Sequence, residues 1–251
     1  MKKLENKVAI VTGGARDLGR AVSLKMAEAG AKVVINYFDN EQDAIDTQAL
    51  IAQMGGESII VQGDMTKAAD VKRIVEEAVK AFGNEIHVLV NVVGGIVGRK
   101  KITEQDEDWY NFLMDVNMKS CWLCTREVVP FMPKGSSIIN FSSLAARDGG
   151  GPGASMYATA KGAVAVFTRS MAKELGPDGI RVNAVAPGTI ATSFHDRFNT
   201  PENRERMKGI YPLRREGDAG DVADLVLFLA CDDSDYITGT NIDINGGMFF
   251  S

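Results

Sequence analysis

Tyr157-Ala-Thr-Ala-Lys161 sets a phenol and an ammonium four residues apart, and Ser142 and Ser143 stand a short way upstream. The run Ser155-Met-Tyr-Ala-Thr-Ala-Lys-Gly-Ala-Val-Ala-Val-Phe167 is rich in alanine and reads as helix, so Tyr157 and Lys161 share one face. Ser155 is expected to cap that helix. An ammonium held near a phenol favours the phenolate, so the Tyr157 pKa is expected to fall from ~10 toward working pH. That is the property of a group that gives and takes protons in a reaction. An Ala-rich helix can also carry this pair by chance, so its meaning depends on the rest of the chain.

A second candidate is Thr12-Gly-Gly-Ala-Arg-Asp-Leu-Gly19. Its glycines permit a tight turn and let backbone N–H groups at a helix start approach a pyrophosphate. The glycines fall at 13, 14 and 19, so the usual G-x-G-x-x-G spacing is absent.

The elements that must position these groups alternate. Short apolar runs at 7–12, 32–37, 58–62, 87–91, 137–142, 180–185 and 241–244 read as strands. Helical stretches are expected at 18–29, 41–54, 69–82, 106–131, from 155 and at 219–230. This order predicts an α/β chain: a single-domain doubly wound Rossmann fold with a parallel sheet flanked by helices. No linker, repeat or low-complexity segment divides residues 1–251.

The joint pattern resembles the short-chain dehydrogenases/reductases. Thr12-Gly-x5-Gly19, Asn91-Val-Val-Gly94, Asn117, Ser143, Tyr157-x3-Lys161 and Pro187-Gly188 occur in that family's order and spacing, and the likeness spans residues 4–248. It is nearest the branch of 3-oxoacyl-carrier-protein reductases, sugar dehydrogenases and carbonyl reductases. The resemblance implies a nicotinamide-dependent enzyme acting on a small carbonyl substrate, with Tyr157 as general acid/base. Lys161 would lower the Tyr157 pKa and hold the nicotinamide ribose, Ser143 would hold the substrate oxygen, and Asn117 would fix a water in a proton relay. The implied cofactor contacts are Gly13, Arg16, Leu18, Gly19, Tyr37, Asp64, Met65, Asn91, Gly94, Tyr157, Lys161, Pro187, Gly188, Ile190 and Thr192. A homotetramer is implied as well.

Three departures from the family pattern stand out. Asp17 occupies a usual glycine, and its carboxylate is expected to point away from a pyrophosphate, capping the helix. Asn91-Val-Val-Gly94 replaces Asn-Asn-Ala-Gly. Arg147-Asp-Gly-Gly-Gly-Pro-Gly153 is unusually glycine-rich, as in a mobile or closely approached active-site wall. The acid that would mark NAD at the end of the second strand is absent, since Tyr37 stands there after Asn36. Arg16 matches a position where relatives bind a 2′-phosphate. NADP (as NADPH) is therefore the favoured cofactor, with NAD the alternative if Asp39 takes the ribose. Asp64 matches an adenine contact and could equally serve a turn.

Residues 189–215 are mixed and charged, as in a substrate lid or a pair of surface helices. His195, Arg197, Arg214 and Arg215 could meet an anionic substrate such as a uronate or a phosphopantetheine arm, or be a solvated face. Cys121-Trp-Leu-Cys124 spells C-x-x-C inside a helical stretch and reads as two buried packing residues. With three cysteines and two histidines, neither a disulfide framework nor a metal site is expected.

Apolar content of 45%, charged content of 24% and net charge −5 are those of an ordinary globular protein without general attraction to nucleic acid or anionic membrane. The N-terminal run lacks a long apolar segment, so a cytoplasmic protein without signal peptide is expected. A nucleotide-sensing protein without turnover would typically have lost Tyr157, Lys161 or Ser143. A serine hydrolase would need a G-x-S-x-G elbow, which is missing.

Overall fold

Among the described residues seven short strands, most of them rich in Val and Ile, pair in parallel throughout. The computed structural model describes residues 2–192 and 201–250. The strands are β1 (Val8–Thr12), β2 (Lys32–Tyr37), β3 (Ser58–Gln62), β4 (Val88–Asn91), β5 (Ser137–Phe141), β6 (Arg181–Pro187) and β7 (Asn241–Ile244). Their spatial order is β3-β2-β1-β4-β5-β6-β7. The chain thus starts in the middle, runs outward to β3, then returns across β1 to begin β4. That reversal opens a crevice at the carboxyl ends of β1 and β4, where doubly wound sheets bind ligands.

The helices are α1 (Asp17–Glu28), α2 (Glu41–Gln53), α3 (Ala68–Phe82), α4 (Glu107–Met114), α5 (Ser120–Val128), α6 (Ala145–Asp148), α7 (Ser155–Leu175), α8 (Pro201–Lys208) and α9 (Ala219–Ala230). Strand alternation sends Ala9, Val11, Val33 and Ile35 to one face, where they meet Val22 and Met26 of α1, Ile51 of α2, and Val226 and Leu229 of α9. Ile10, Val34, Leu89, Ile138 and Val182 face the other way against Ile74 of α3, Leu123 and Val128 of α5, and Leu175 of α7. Each such side chain contributes ~1.5–3 kcal/mol on burial. Among the described residues no helix is long and apolar enough to cross a membrane.

Two local expectations fail. The long helix foreseen over 106–131 is interrupted: Asp115–Lys119 form a π-helical turn between α4 and α5, and Val129–Phe131 close as a 3-10 turn. A π turn frees backbone geometry inside a helix and often marks a functional position; this one carries Asn117. Ser155 does not cap α7. It is the first helical residue, Ala154 precedes it without a side-chain cap, and the Ser155 hydroxyl accepts from Gln105 Nε2 at 3.0 Å. The cap oxygen has been taken by a tertiary partner. α6, a single turn, has no counterpart among the expected elements, while α8 falls in the segment read as a lid or a pair of surface helices.

Candidate active site

The carboxyl ends of β1, β2, β4, β5 and β6 line a cavity of 860 Å³. Its wall at one end is the loop from β1 into α1. Gly19 is pressed onto that loop so closely that a Cβ would fall 1.9 Å from the Gly13 carbonyl oxygen. Asn36 anchors the loop: its Oδ1 accepts from Gly13 N at 2.9 Å, and its carbonyl accepts from Gly14 N at 2.9 Å. Its Nδ2 donates to the carbonyls of Tyr37 and Gly63, each at 3.1 Å. Asn36 therefore joins three loops at one buried point. Sequence reading gave it no role of its own, though a buried amide at a strand end must find partners. Tyr37 lines the cavity and donates its hydroxyl to Glu41 Oε1 at 3.2 Å; burial and that carboxylate push its pKa up.

Asp17 opens α1 with φ +48°, a left-handed backbone that explains why glycine is usual there and why Asp, which tolerates this region, can replace it. It lines the cavity and stands in the first turn; the cap position itself is Arg16, whose side chain makes no cap bond. The expected capping by Asp17 is thus corrected. Asp64 also lines the cavity, and its Oδ1 accepts from Thr66 N (2.8 Å) and Thr66 Oγ1 (2.7 Å), so it does close a turn. Leu18, Met65, Pro187, Gly188, Ile190 and Thr192 line the same cavity.

At the other end stand Ser143, after β5, and Tyr157 and Lys161 on α7. Lys161 is 3% exposed and donates from Nζ to the Phe141 carbonyl at 2.7 Å. Burial pulls its pKa down to about 8. The Tyr157 pKa is raised, because burial outweighs the Ser143 hydroxyl that pulls the other way. The expectation of a depressed Tyr157 pKa is therefore corrected: desolvation of the phenolate decides it.

Asn117 and Asn91 do not line the cavity; they stand behind it. Asn117 Oδ1 accepts from Gly95 N at 2.9 Å, while its Nδ2 donates to Gly95 O and Leu113 O, each at 3.0 Å. Gly94, φ +147°, sits so tightly that a Cβ would lie 2.6 Å from Asn117 Oδ1 and 2.7 Å from Lys161 Nζ. The Asn91 side chain turns inward, donating to Asn140 Oδ1 at 2.9 Å. Its side chain thus links β4 to β5.

The charged lid candidates disperse. His195 and Arg197 lie outside the described residues. Arg215 pairs with Asp221 and Arg214 bonds the Gly209 carbonyl, and neither reaches the cavity. Cys121 and Cys124 are buried packing thiols against Asn140 and Met65, with burial holding Cys121 up to about 12. A cation that went unremarked, Arg99, does line the cavity; its place five residues beyond Gly94 was the available signal.

The cavity fits a dinucleotide: the glycine cradle at the α1 start leaves no room for side chains, and its amides sit at the positive end of the helix. Comparisons with known proteins agree. Residues 13–249 match the family model described as "Enoyl-(Acyl carrier protein) reductase". The chain is 35% identical to the 3-oxoacyl-[acyl-carrier-protein] reductase FabG of Staphylococcus epidermidis over 97% of this chain and 99% of that one. It superposes on the reductase LugOII, described as catalysing keto-reduction at C1 during lugdunomycin biosynthesis, with TM-score 0.92 and 36% identity over 99% and 100% of the two chains. A blue fluorescent protein from a metagenomic library, solved with NADPH, gives TM-score 0.92 and 31% identity over 99% and 100%. The chain is an NAD(P)-dependent oxidoreductase acting on a carbonyl or alcohol, and it belongs to the short-chain dehydrogenase/reductase family.

Proposed function

We propose that the protein is an NADPH-dependent carbonyl reductase that delivers hydride to a ketone or aldehyde, with Tyr157 as general acid. The observation that carries this reading is that Ser143, Tyr157 and Lys161 gather at one end of the cavity whose other end is the glycine cradle. The phenol of Tyr157, with its pKa raised by burial, gives its proton to the alkoxide as it forms. The bound nicotinamide supplies the hydride. Ser143 and Tyr157 hold the substrate oxygen from two sides and stabilise the charge that grows on it. Lys161, an ammonium below about pH 8, stabilises the phenolate left after proton transfer. Asn117 acts through Gly95, keeping the loop beside Lys161 in register.

NADPH is favoured by Arg16, a cavity cation in the loop before α1, and by the NADPH and NADP of solved relatives. NAD remains the second reading because Asp39 lines the same mouth. We further propose a homotetramer, in keeping with the exposed Trp122 of α5 and Val166 of α7 and the free sheet edge at β7. Light scattering on the eluted protein would then give roughly four chain masses. Residues 189–215, of which 193–200 lie outside the described residues, are proposed as the substrate lid, and the three buried free thiols fit a reducing, cytoplasmic setting.

The deciding experiment is NADPH oxidation with 3-oxoacyl thioesters, keto-uronates, other sugar-derived carbonyls and enoyl thioesters, with product identification. Hydroxy products support the proposal. Saturated products from the enoyl compounds alone would replace it with alkene reduction.

A further inference from the structure

Arg99 is an exposed residue of the cavity wall, and its backbone and side chain are closely seated there. Val97, two residues before it, takes φ +55°, which is strained for a β-branched residue. Gly98 N closes a tight turn onto Ile96 O, with the Gly98 Cα against the Trp109 ring, where a Cβ would meet the indole at 3.1 Å. The arginine then lies on the glycine-rich segment 149–153. A Cβ on Gly151 would fall 3.2 Å from Arg99 Nη1, and one on Gly153 3.0 Å from Arg99 Cβ. Nη1 donates to the Pro152 carbonyl at 3.0 Å, and Lys100 N donates to Gly153 O at 3.2 Å. The wall's glycines thus make a seat for this side chain.

Of the other cations lining the cavity, Arg16 stands beside Asp39 at the mouth, Lys67 precedes α3 and Lys161 donates to Phe141 O. Among the described residues Arg99 has no carboxylate partner within salt-bridge distance. Its one bond to Pro152 leaves most of a five-donor fork for an anion. The seat is also close in the chain to the reacting end, since Gly151 and Ala154 line the cavity and Ala154 leads into α7 three residues before Tyr157.

We propose that Arg99 is a specificity-determining residue that receives a carboxylate borne by the carbonyl substrate, an inference that rests on the carbonyl-reductase reading above. A guanidinium in the same cavity as Tyr157, on the wall that leads into α7, suits a carbonyl compound that carries its own carboxylate, as in an oxo acid or a sugar-derived keto acid. A phosphate at the far end of a long thioester arm does not meet that requirement.

The test compares acetoacetate with methyl acetoacetate for wild type, Arg99→Ala and Arg99→Lys. The acid-to-ester ratio of kcat/KM falls about tenfold to a hundredfold in Arg99→Ala, the range of a charge-assisted hydrogen bond. In Arg99→Lys, which keeps the charge without the fork, it falls less. A wild type without preference for the acid, or a ratio unchanged in Arg99→Ala, overturns the proposal while ester turnover leaves the reductase reading standing. Titration calorimetry of acetoacetate into each protein with NADP⁺ reads the same contact without turnover. Weaker binding to Arg99→Ala by a similar factor supports the proposal, and equal binding overturns it. Failure of the wild type to oxidise NADPH with any carbonyl sinks the reductase reading separately.

Discussion

Arg16 and Asp39 face each other at the mouth of the cavity, Nη1 to Oδ1 at 3.9 Å, with both side chains more than half exposed. An exposed pair at that distance is worth ~0–1 kcal/mol, so either partner is easily recruited by a ligand. A 2′-phosphate would take the guanidinium; ribose hydroxyls would take the carboxylate. Arg16→Ala should weaken NADPH roughly tenfold to a hundredfold and NADH little, measured by parallel fluorescence titrations. Equal losses for the two cofactors would mean that Arg16 serves the loop and not the phosphate.

Tyr157→Phe removes only the phenolic oxygen from a half-buried ring. Reduction should drop about 10²–10⁴-fold in kcat, the usual worth of a general acid. NADPH affinity and melting temperature should stay near wild type. A variant that keeps a tenth of kcat would remove Tyr157 from the proton path.

The pH profile follows from Lys161. As pH rises through about 8 the buried ammonium is lost, and with it the charge that stabilises the Tyr157 phenolate after transfer. Reduction kcat/KM, which reports the free enzyme, should therefore fall on the alkaline side from about pH 8. Tyr157 stays protonated there because its own pKa is raised. A profile flat to pH 9.5 would contradict the assignment.

Asp17→Gly restores the residue type suited to φ +48° and takes a carboxylate out of the cavity mouth. Relief of the left-handed strain, ~1 kcal/mol, is offset by the entropy of glycine and the loss of a favourable helix-start charge. Stability should change by less than ~1 kcal/mol, and NADPH should bind several-fold more tightly because the carboxylate no longer opposes the pyrophosphate. Weaker NADPH binding by calorimetry would show that Asp17 helps to shape the loop.

His87 accepts from Val8 N through Nδ1 at 3.2 Å, so the bond requires a neutral ring. Burial and Lys7 lower its pKa, with Glu85 opposing them. The unfolded chain then binds the proton more readily, so this contribution is present above about pH 6.5 and is lost as pH falls toward the lower folded value. Urea unfolding at pH 7.5 and 5.5 should show wild type losing more stability than His87→Gln, which keeps an acceptor without titrating. Identical losses would assign the acid sensitivity to other groups.

The sequence by itself determined the sheet and the chemistry-bearing pair. Buried parallel strands must be short apolar runs such as Val8–Thr12 and Arg181–Pro187, and a helix puts Tyr157 and Lys161 on one face whatever surrounds them. The glycine turn before α1 was legible for the same reason, since close backbone approach admits few residue types. Only the tertiary structure decided how these groups behave. The Tyr157 pKa depends on what excludes water from the phenol, and that is a sum over distant walls. The aims of Asn91 toward Asn140 and of Asn117 toward Gly95 arise from contacts 49 and 22 residues apart. The π turn that carries Asn117 and the glycine seat under Arg99 likewise follow from which segments meet in space, a long-range property that local spacing does not encode.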